Sequence, residues 1–478
     1  MKMIINGKPA DASDGAVIEV LNPATGKVID TVPSATEEDV ARAVQCAVAG
    51  QKAWNDVPVH ERGEILMRFV GLVEKDKEKL ARTLSEETGK TITEARAEIA
   101  NILIAFPAFV ERAKHLYGEV IPNGLEKNQE KHVLITTREP IGVFACVIPF
   151  NFPCDLFDQK VAPALLAGNA AIVKPSTDNP LTLCMLTEML VFAGVTPGAI
   201  QVLTGRGSTV GTWLCSNPDV HGITLTGSTE VGIETYKNAA GHLAHIALEL
   251  GGNDAFIVCA DGDVDLAVEE LIWGRMYNTG QVCCASKRFL VHNSLKDEFT
   301  EKAVARIKQI KGGDPADKDT EIGCLISEKA AMTVESQVNL TVAQGGHIVL
   351  GGKRNGAFYE PTVITDVPKS ADVAKDMEIF GPVVPIIGFD TNEEAVEIAN
   401  HSIFGLCGCV FSRDAKTAWN IGRELECGGV VINGASFFRS FEMPFGGYKY
   451  SGIGTEGVIS TFDEVTRTKT IVLKNIIA

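Results

Sequence analysis

The sequence predicts an α/β protein with a doubly wound sheet, a second α/β unit and a short β arm. Three observations indicate this class: apolar runs alternate with helical patterns from residue 141, a second alternation follows residue 252, and two strand-like segments fit neither series. Strands that helices cover on both faces lack the two-residue alternation of exposed strands. The length of 478 residues also exceeds what a single ordinary core accommodates, so two or three domains are expected.

The N-terminal region and the first alternation form the first predicted unit. A strand signal at Met3–Ile5 precedes amphipathic helical patterns at Thr36–Trp54 and His60–Thr83. The apolar runs that follow are Ile141–Ile148, Ala170–Val173, Ala199–Leu203, Gly222–Leu225 and His245–Leu248. The helical patterns between them are Asp158–Leu166, Pro180–Phe192, Gly207–Cys215 and Thr229–Asn238. This alternation is typical of a parallel sheet covered on both faces, the architecture of doubly wound cofactor domains.

The second unit and the arm follow from the remaining segments. Apolar runs at Ala255–Val258, Phe289–Val291, Val384–Ile387 and Cys409–Phe411 are separated by helical patterns such as Val264–Met276 and Thr391–Ala399. Lys131–Thr137 and Val465–Leu473 are strand-like, and such edges need covering, by each other and by another subunit. The predicted boundaries are residues 1–124 and 141–250 for the first unit, 251–446 for the second, and 125–140 with 447–478 for the arm.

Composition and charge exclude several classes of protein. The chain is 45% hydrophobic and 22% charged, as ordinary globular proteins are, and its net charge is −17. Because like charges repel, nucleic acid and anionic membrane surfaces are not expected partners. Met1–Gly15 lacks an apolar signal segment and no apolar run approaches ~20 residues, so neither export nor membrane insertion is expected. The 12 cysteines are scattered without CxxC spacing, which favours a reducing cytoplasm and predicts neither a disulfide framework nor a metal site.

A glycine turn after an apolar strand is the best candidate for a phosphate site. Gly227 follows the strand, and Ser228 or Thr229 can cap a helix whose free N–H groups suit a pyrophosphate. The alternative is a plain strand–turn–helix with a serine cap. Lys174 ends a neighbouring strand at the edge where open sheets bind ligands. It can reach a ribose or a phosphate there, or remain a solvated surface lysine. The glycines between Gly205 and Gly211 do not match the spacing GxGxxG.

Cys283 is the candidate nucleophile. It lies in a glycine-containing loop, Asn278–Cys284, between a helical pattern and a strand. A free thiol has a pKa near ~8.5 and needs an activating base, which no neighbour in sequence supplies. Most cysteines are inert core residues, so packing is the alternative role.

Glu249 and Asn151 are candidates for the groups that assist such a thiol. Glu249 ends an apolar strand before two glycines, and partial burial would raise its pKa so that it accepts a proton from a thiol or a water. Asn151 lies between Pro149 and Pro153, and its amide can donate to a developing oxyanion. The alternatives are a capping or salt-bridged glutamate and an asparagine that holds a turn.

Seven motifs, taken in order, resemble those of the aldehyde dehydrogenase superfamily. The similarity extends over nearly the whole chain, from Leu21–Gly26 to the C-terminal strand. The motifs are Pro149–Pro153, Lys174-Pro175-Ser176, Thr226–Thr229, Glu249–Gly252, Gly280–Cys283, Glu378–Pro382, and Pro444–Gly447 with Ser451-Gly452. Seven ordered matches are far more specific than any one of them. The resemblance implies an aldehyde dehydrogenase-like fold: a Rossmann-type cofactor domain, a catalytic domain and an oligomerisation arm for the three predicted parts, in a homodimer or homotetramer.

The resemblance also assigns roles to residues. Cys283 is then the nucleophile, Glu249 the general base, and Asn151 with the backbone N–H of Cys283 the oxyanion hole. Lys174 and Glu378 would bind the two riboses of NAD or NADP, Ser228 the pyrophosphate, and Phe380 would lie beside the nicotinamide. Further cofactor contacts are expected at Ile148, Pro149, Ser176, Thr177, Gly207, Thr226, Gly227 and Leu250. The residues expected to face the substrate are Phe152, Tyr277 and Arg439.

Departures from the family patterns bear on specificity. Thr177 stands where NAD-preferring members usually have a glutamate, and the missing charge favours acceptance of the 2′-phosphate of NADP. Gln159 and Tyr277 stand where succinate-semialdehyde members typically have arginines. Arg439 lies in the family's substrate-anchoring loop, as in lactaldehyde-, glyceraldehyde- and phosphonoacetaldehyde-type members, and is expected to receive a carboxylate, phosphate or hydroxyl. A salt bridge with Glu442 or another acid is the alternative.

The predicted function is the NAD(P)-dependent oxidation of a short polar or anionic aldehyde to the acid, through a Cys283 thioester that water hydrolyses. Transfer of the acyl group to CoA is the enzymatic alternative, but acylating members of the family usually lack the glutamate present here as Glu249. A non-catalytic scaffold of the same fold is the other alternative, although a scaffold has no need of Cys283, Glu249 and Asn151 together.

Overall fold

A computed structural model describes residues 1–477. Helices form about a third of the elements and cover the faces of two sheets. They are Glu37–Asn55, Val59–Thr88, Ile92–Ala113, Pro153–Leu166, Leu181–Ala193, Thr212–Cys215, Thr229–Ala240, Val264–Met276, Lys296–Ile307, Glu328–Ala343, Asn392–Asn400, Ala415–Glu424 and Thr461–Val465, with a π turn at Gly207–Gly211 and 3₁₀ turns at Tyr277–Gly280 and Asp372–Ala374. Across residues 1–477, none of these helices is long and apolar enough to cross a bilayer.

The first sheet is doubly wound, as predicted. In spatial order its strands are Lys8–Ala10, Met3–Ile5, Ile200–Val202, Ala170–Lys174, Val143–Val147, Gly222–Thr226, His245–Glu249 and Gly452–Ile453. The five strands from Ile200–Val202 to His245–Glu249 are parallel. Chain order reverses on the two sides of Val143–Val147, so the carboxyl ends of the strands diverge there and leave the crevice in which such sheets bind ligands.

Long N-terminal helices cover this sheet and build its core. Capping boxes start two of them, with Thr36 and Asp39 at one N-terminus and Thr91 and Glu94 at the other, which satisfies N–H groups that helix ends otherwise leave free. The core between helices and sheet is rich in aromatic side chains. Trp54, for example, is fully buried and donates from Nε1 to the carbonyl of Leu165 at 2.8 Å.

The second sheet starts directly after the first one ends. Its strands in spatial order are His347–Leu350, Thr362–Thr365, Val383–Phe389, Ser286–His292, Asp254–Val258, Cys407–Phe411 and Gly429–Ile432. All neighbours are parallel except the first pair. Only residues 250–253 connect the last parallel strand of the first sheet to Asp254–Val258, so the loop after His245–Glu249 lies between the two units.

The two segments that fit neither alternation pair with each other, as the sequence suggested. Thr466–Leu473 runs antiparallel to Val133–Pro140 along its whole length, from Thr466 opposite Pro140 to Leu473 opposite Val133. Val120–Ile121 adds a third, outer strand. Residues 448–453 do not belong to this three-stranded sheet, because Gly452–Ile453 pairs with the first sheet. The arm therefore consists of Val120–Ile121, Val133–Pro140 and Thr466–Leu473.

Three further strand pairs complete the fold. They are Val17–Leu21 with Val28–Pro33, Arg354–Asn355 with Phe358–Tyr359, and Phe404–Gly405 with Tyr448–Lys449. Most predicted elements are present within a few residues of their expected bounds. The two largest shifts are in helices: one ends at Thr88 rather than Thr83, and the helix after the first parallel strand begins at Pro153 rather than Asp158, since a proline is well tolerated in the first turn of a helix.

Candidate active site

Cys283 lies in a short loop that opens on a cavity of about 190 Å³. The loop follows the turn Tyr277–Gly280 and precedes the strand Ser286–His292. Asn278, Thr279 and Gly280 all have positive φ, at 49°, 55° and 75°. A Cβ at Gly280 would meet the backbone of Gly381, so only glycine lets the two segments approach this closely.

Buried polar contacts hold this loop against Asn151. Glu94 accepts a hydrogen bond from the backbone N–H of Asn278 at 2.7 Å. The amide of Asn278 donates to the carbonyl of Asn151 at 3.0 Å, and the ammonium of Lys90 donates to the same carbonyl at 2.9 Å. Lys90 is itself neutralised by Glu98. The hydrogen bond from Asn278 to the carbonyl of Asn151 thus links the backbone of Asn151 directly to the loop that contains Cys283.

The cavity has an aromatic side and a polar side. Phe152 and Tyr277 stack with ring planes 9° apart and centroids 6.1 Å apart, and Phe437 packs against both. The other lining residues are Asn101, Asn151, Asp155, Leu156, Gln159, Trp273, Val282, Cys283, Cys284, Arg439 and Phe441. The structure therefore brings Cys283, Asn151 and all three residues predicted to face the substrate into the lining of one cavity.

The surroundings of Cys283 act on its pKa in opposite directions. A hydrogen bond with the thiol of Cys284, together with burial, raises the pKa of the Cys283 thiol well above its usual value. The positive charges of Lys287 and Arg439 lower it. A thiol in this setting needs both cations and a base to reach the thiolate form.

Lys287 lies between Cys283 and the carboxylate of Glu378 and contacts both. Its side chain is only 1% exposed. The ammonium donates to the carbonyl oxygen of Cys283 and pairs with Glu378 at 3.0 Å. It also lies 5.8 Å from the ring centroid of Phe380. Lys287 was not among the residues predicted from the sequence, although it stands four residues after the candidate nucleophile.

Glu249 is buried beside Cys283 but outside the wall of the main cavity. It is 4% exposed, and within the described residues neither carboxylate oxygen has a hydrogen-bond partner. Burial raises the pKa of Glu249 well above its usual value, and the charges of Cys283 and Glu456 raise it further. It lines a much smaller adjoining cavity together with Lys160 and Glu456. The carboxyl group is therefore desolvated, and the resulting rise of its pKa is what a general base near neutral pH needs.

Arg439 pairs with Glu456, not with Glu442. Its Nη2 lies 3.0 Å from Glu456, whose other oxygen lies 2.6 Å from Lys160. The guanidinium also lies 4.0 Å from the ring centroid of Phe445. Arg439, Glu456 and Lys160 thus form a network that connects the main cavity to the cavity of Glu249. No local sequence pattern relates these residues, because Lys160 and Glu456 are nearly 300 positions apart.

The polar side of the cavity contains an acid that the sequence analysis missed. Asp155 accepts from the amide of Asn101 at 3.0 Å. Burial, and the nearby charge of Glu98, raise the pKa of Asp155 to about 7. Gln159, one helical turn further on, accepts from the backbone N–H of Gly457 at 3.2 Å, while its buried Nε2 has no partner in the described part of the chain. The i,i+4 spacing of an acid and an amide was the available signal.

The residues expected at the cofactor lie along the crevice of the first sheet. Ser228 caps the helix Thr229–Ala240 and accepts from Val231 N–H. Lys174 is buried, which lowers its pKa to about 8, and its ammonium donates to the carbonyl of Pro175 at 2.6 Å. Thr177 donates to the carbonyl of Gly205 at 3.3 Å. Gly207 lies in a π turn, and the direction in which its Cβ would point is open.

The remaining expected contacts lie next to these. Thr226 ends a strand with a buried hydroxyl that lacks a partner among residues 1–477, and Gly227 N–H donates to the carbonyl of Glu249 at 3.0 Å. Ser176 accepts from Asp178 N–H. Apolar packing in this region comes from Ile148, Pro149 and Leu250. Phe380 lies edge-on to Phe150, with centroids 5.9 Å apart, beside Glu378.

These features fit a nicotinamide dinucleotide. The unpartnered Thr226 hydroxyl and the buried Lys174 ammonium are polar groups that a ribose or phosphate would satisfy. The free N–H groups at the start of Thr229–Ala240 suit a pyrophosphate. Glu378 and Phe380 lie on the opposite side, next to Lys287 and thus to Cys283. The crevice therefore leads from the helix N-terminus to the nucleophile.

Comparison with known proteins gives consistent matches over the whole chain. The model of the family described as "Aldehyde dehydrogenase family" matches residues 10–471. The chain is 36% identical to the NADP(+) succinate-semialdehyde dehydrogenase GabD of Escherichia coli, covering 95% of this chain and 94% of that protein. It is 35% identical to a lactaldehyde dehydrogenase of Methanococcus aeolicus, covering 98% and 99%. A crystal structure of betaine aldehyde dehydrogenase from Staphylococcus aureus in complex with NAD+ superposes with a TM-score of 0.95 at 35% identity, covering 99% and 95%.

Proposed function

Because the chain belongs to the aldehyde dehydrogenase family, we propose that Cys283 forms a thioester with the substrate and that Asn151, Glu249 and the crevice residues serve this chemistry. The activity is NAD(P)-dependent oxidation of a short polar aldehyde to the carboxylic acid. The observation that supports the site assignment best is that Cys283 and Asn151 line one cavity while their backbones are tied through Asn278.

The first step is attack of the Cys283 thiolate on the aldehyde carbon. Lys287 and Arg439 favour the thiolate, because their charges lower the pKa of this thiol. The carbonyl oxygen becomes an oxyanion, which accepts hydrogen bonds from the amide of Asn151 and the backbone N–H of Cys283. Such donors stabilise the charge where it develops, and the loss of one costs on the order of 10²–10³ in rate.

The cofactor is held along the first sheet. Lys174, Ser176 and Thr177 would contact the adenosine ribose, Ser228 and Gly227 the pyrophosphate, and Glu378 the nicotinamide ribose. The bound NAD⁺ or NADP⁺ supplies the hydride acceptor that makes the thioester possible. Thr177 presents a hydroxyl and no charge, so either cofactor fits.

Glu249 then activates the water that hydrolyses the thioester. Its carboxylate takes a proton from the water, the oxygen of which attacks the acyl carbon, and the Cys283 thiolate leaves. A buried, unpartnered carboxyl with a raised pKa is suited to accept a proton near neutral pH. The presence of this base favours water over CoA as the acyl acceptor and argues against a non-catalytic scaffold.

The substrate is a short aldehyde with a polar substituent. Relatives are named as dehydrogenases of succinate semialdehyde and lactaldehyde. In this chain, Arg439 and Gln159 line the cavity beside its aromatic side. Arg439 would contact the substituent with the side of its guanidinium that Glu456 leaves free.

The same proposal includes the division into domains, the oligomeric state and the cellular location of the protein. Residues 1–124 and 141–250 form the cofactor domain and 251–446 the catalytic domain, with an oligomerisation arm whose two long strands, Val133–Pro140 and Thr466–Leu473, lie within the predicted ranges 125–140 and 447–478. The protein forms a homodimer or homotetramer through that arm. It works in the cytoplasm, in keeping with the unpaired state of all 12 cysteines and the net charge of −17.

Absorbance of the reduced cofactor tests the proposal. The enzyme with a panel of short aldehydes and NAD⁺ or NADP⁺ is expected to form reduced cofactor, with no CoA required. Cys283→Ser should lose at least about 10³-fold in rate. Glu249→Gln should still give one turnover of reduced cofactor per site and then stop, because the thioester forms but is not hydrolysed.

The matched control is Cys284→Ser, which changes the neighbouring thiol in the same loop. If Cys283→Ser retains steady-state oxidation while Cys284→Ser abolishes it, the nucleophile is assigned wrongly. If Glu249→Gln turns over at the normal rate, another group is the base.

A further inference from the structure

The polar side of the cavity contains a hydrogen-bond pattern that the oxidation chemistry does not use. Asp155 and Gln159 lie one turn apart on the helix Pro153–Leu166, and both line the cavity together with Cys283. Among residues 1–477, the Asn101 amide is the one hydrogen-bond donor to the carboxylate of Asp155, which can accept further hydrogen bonds. Gln159 offers a buried Nε2 without a partner among the described residues, while its oxygen is fixed by Gly457 N–H. A free donor and a free acceptor therefore stand side by side.

The charge in the cavity does not suit an anionic substituent. Among the lining residues only Asp155 and Arg439 are charged. The charge of Arg439 is already offset by Glu456 at 3.0 Å, and Glu98 lies behind Asp155 closely enough to raise its pKa. A carboxylate or phosphate would share the cavity with Asp155, and the charge of Arg439, the one cation in the lining, is already compensated by Glu456.

A hydroxyl group satisfies this arrangement. It donates one hydrogen bond and accepts two, so it can donate to Asp155 and accept from Gln159 or Arg439 at the same time. The rings of Phe152, Tyr277 and Phe437 opposite supply an apolar face for the C–H groups of a short chain. Such a combination of acid, amide and aromatic rings matches a hydroxylated carbon chain better than a simple alkyl chain or a terminal anion.

We propose that the enzyme selects aldehydes that bear uncharged hydroxyl groups next to the carbonyl, and that Asp155 is the residue that determines this specificity. The inference rests on the proposed function, because it requires that the cavity of Cys283 binds the aldehyde. It assigns Asp155 to substrate binding alone: the acid contacts the hydroxyl and takes no part in bond making at the carbonyl.

Pairs of aldehydes that differ only in their hydroxyl groups test this. Glyceraldehyde and propionaldehyde each have three carbons but differ in their hydroxyl groups. Succinate semialdehyde carries a terminal carboxylate. The wild-type enzyme is expected to have a kcat/KM for glyceraldehyde at least about tenfold above that for propionaldehyde, with the anionic aldehyde below both. Asp155→Leu should lower kcat/KM for glyceraldehyde by about 10- to 100-fold, the effect of losing a hydrogen bond to a charged acceptor, mainly through KM. The value for propionaldehyde should change less than about threefold.

Asp155→Asn keeps the shape and one acceptor oxygen, so its loss with glyceraldehyde should lie between those of the wild type and Asp155→Leu. Glu442→Gln is the matched control: it removes an exposed acid from the loop of Arg439 that does not line the cavity, and both aldehydes should be oxidised as before. Thermal melting of each variant verifies folding.

The outcomes separate the two proposals. An equal loss for both aldehydes in Asp155→Leu and Asp155→Asn, or a wild-type preference for succinate semialdehyde, would overturn the assignment of Asp155 while aldehyde oxidation stands. Absence of oxidation with every aldehyde and either cofactor would instead overturn the proposed function.

Discussion

At the scale of single residues, two positive charges, one on the buried Lys287 and one on the partly exposed Arg439, favour the reactive form of Cys283. Burial and the thiol of Cys284 oppose the thiolate, whereas Lys287 and Arg439 favour it. Lys287 differs from Arg439 in that it also donates to the backbone of the nucleophile and pairs with Glu378. It is therefore placed to transmit the state of the cofactor side of the site to the thiol.

Removing this charge should shift the reactivity of the thiol to higher pH. In Lys287→Met the cation that lowers the pKa of Cys283 is absent, so the pKa rises and less thiolate is present at any pH below it. The rate of alkylation by iodoacetamide, followed from about pH 6 to about pH 10, should rise with a midpoint at least about one unit higher than in the wild type.

Lys287→Arg keeps the charge and should restore most of the wild-type profile, which a purely structural role of the lysine side chain would not predict. A Lys287→Met profile that coincides with the wild-type profile would show that Lys287 does not act on the thiol.

At the scale of elements, the turn Tyr277–Gly280 sets the position of the nucleophile. Its three residues with positive φ direct the chain from the helix Val264–Met276 into the loop of Cys283, and Glu94 on an N-terminal helix accepts a hydrogen bond from the backbone N–H of Asn278. The sequence indicated a glycine-containing loop. It did not indicate that Gly280 packs on the backbone of Gly381, because that contact joins segments 101 positions apart.

Gly280→Ala should therefore cost activity more than stability. The new Cβ would meet the backbone of Gly381, so the loop must move and carry Cys283 away from Asn151. We expect kcat/KM to fall by at least about 100-fold, since misplacement of about 1 Å costs that much. The measurement is steady-state oxidation together with thermal melting.

Gly356→Ala provides the comparison. Gly356 has a positive φ of 59° in a hairpin where a Cβ meets nothing, so the variant should lose some thermal stability through backbone strain alone and keep its activity. Equal activity losses in the two variants would show that strain, and not the contact with Gly381, limits catalysis.

At the scale of the whole molecule, the arm is a part that exposes apolar side chains in an isolated monomer. Its strands pair fully with each other, yet Ile471 and Val472 remain 42% and 49% exposed in the C-terminal strand. Apolar side chains on an open sheet edge favour association with another chain.

A charge on this edge should weaken the oligomer. The mass of wild-type protein measured by light scattering is expected to be that of a dimer or tetramer, and Val472→Lys should lower it or make it depend on concentration. Val28→Lys makes the same change at a valine that is 50% exposed in the N-terminal hairpin and should leave the mass unchanged. A wild-type monomer, or an unchanged mass in Val472→Lys, would contradict the assignment of the arm.

The elements and the family could be predicted from the amino-acid sequence. Continuous apolar runs identify parallel strands because those strands are buried on both faces, and seven ordered motifs identified the family and candidates such as Cys283, Glu249 and Asn151. Pairing of the two arm segments with each other also followed, since neither had another partner.

The charges that surround the site could not be predicted in this way, because they come together through the folding of the chain. Lys287 with Glu378, Arg439 with Glu456, and Asp155 with Asn101 are pairs of residues from different elements. Local periodicity reports which face of an element is buried, but it contains no information on which distant side chain shares that burial. Electrostatic environment depends on that proximity alone, and for this reason the partner of Arg439 and the polar side of the cavity became visible only in the folded chain.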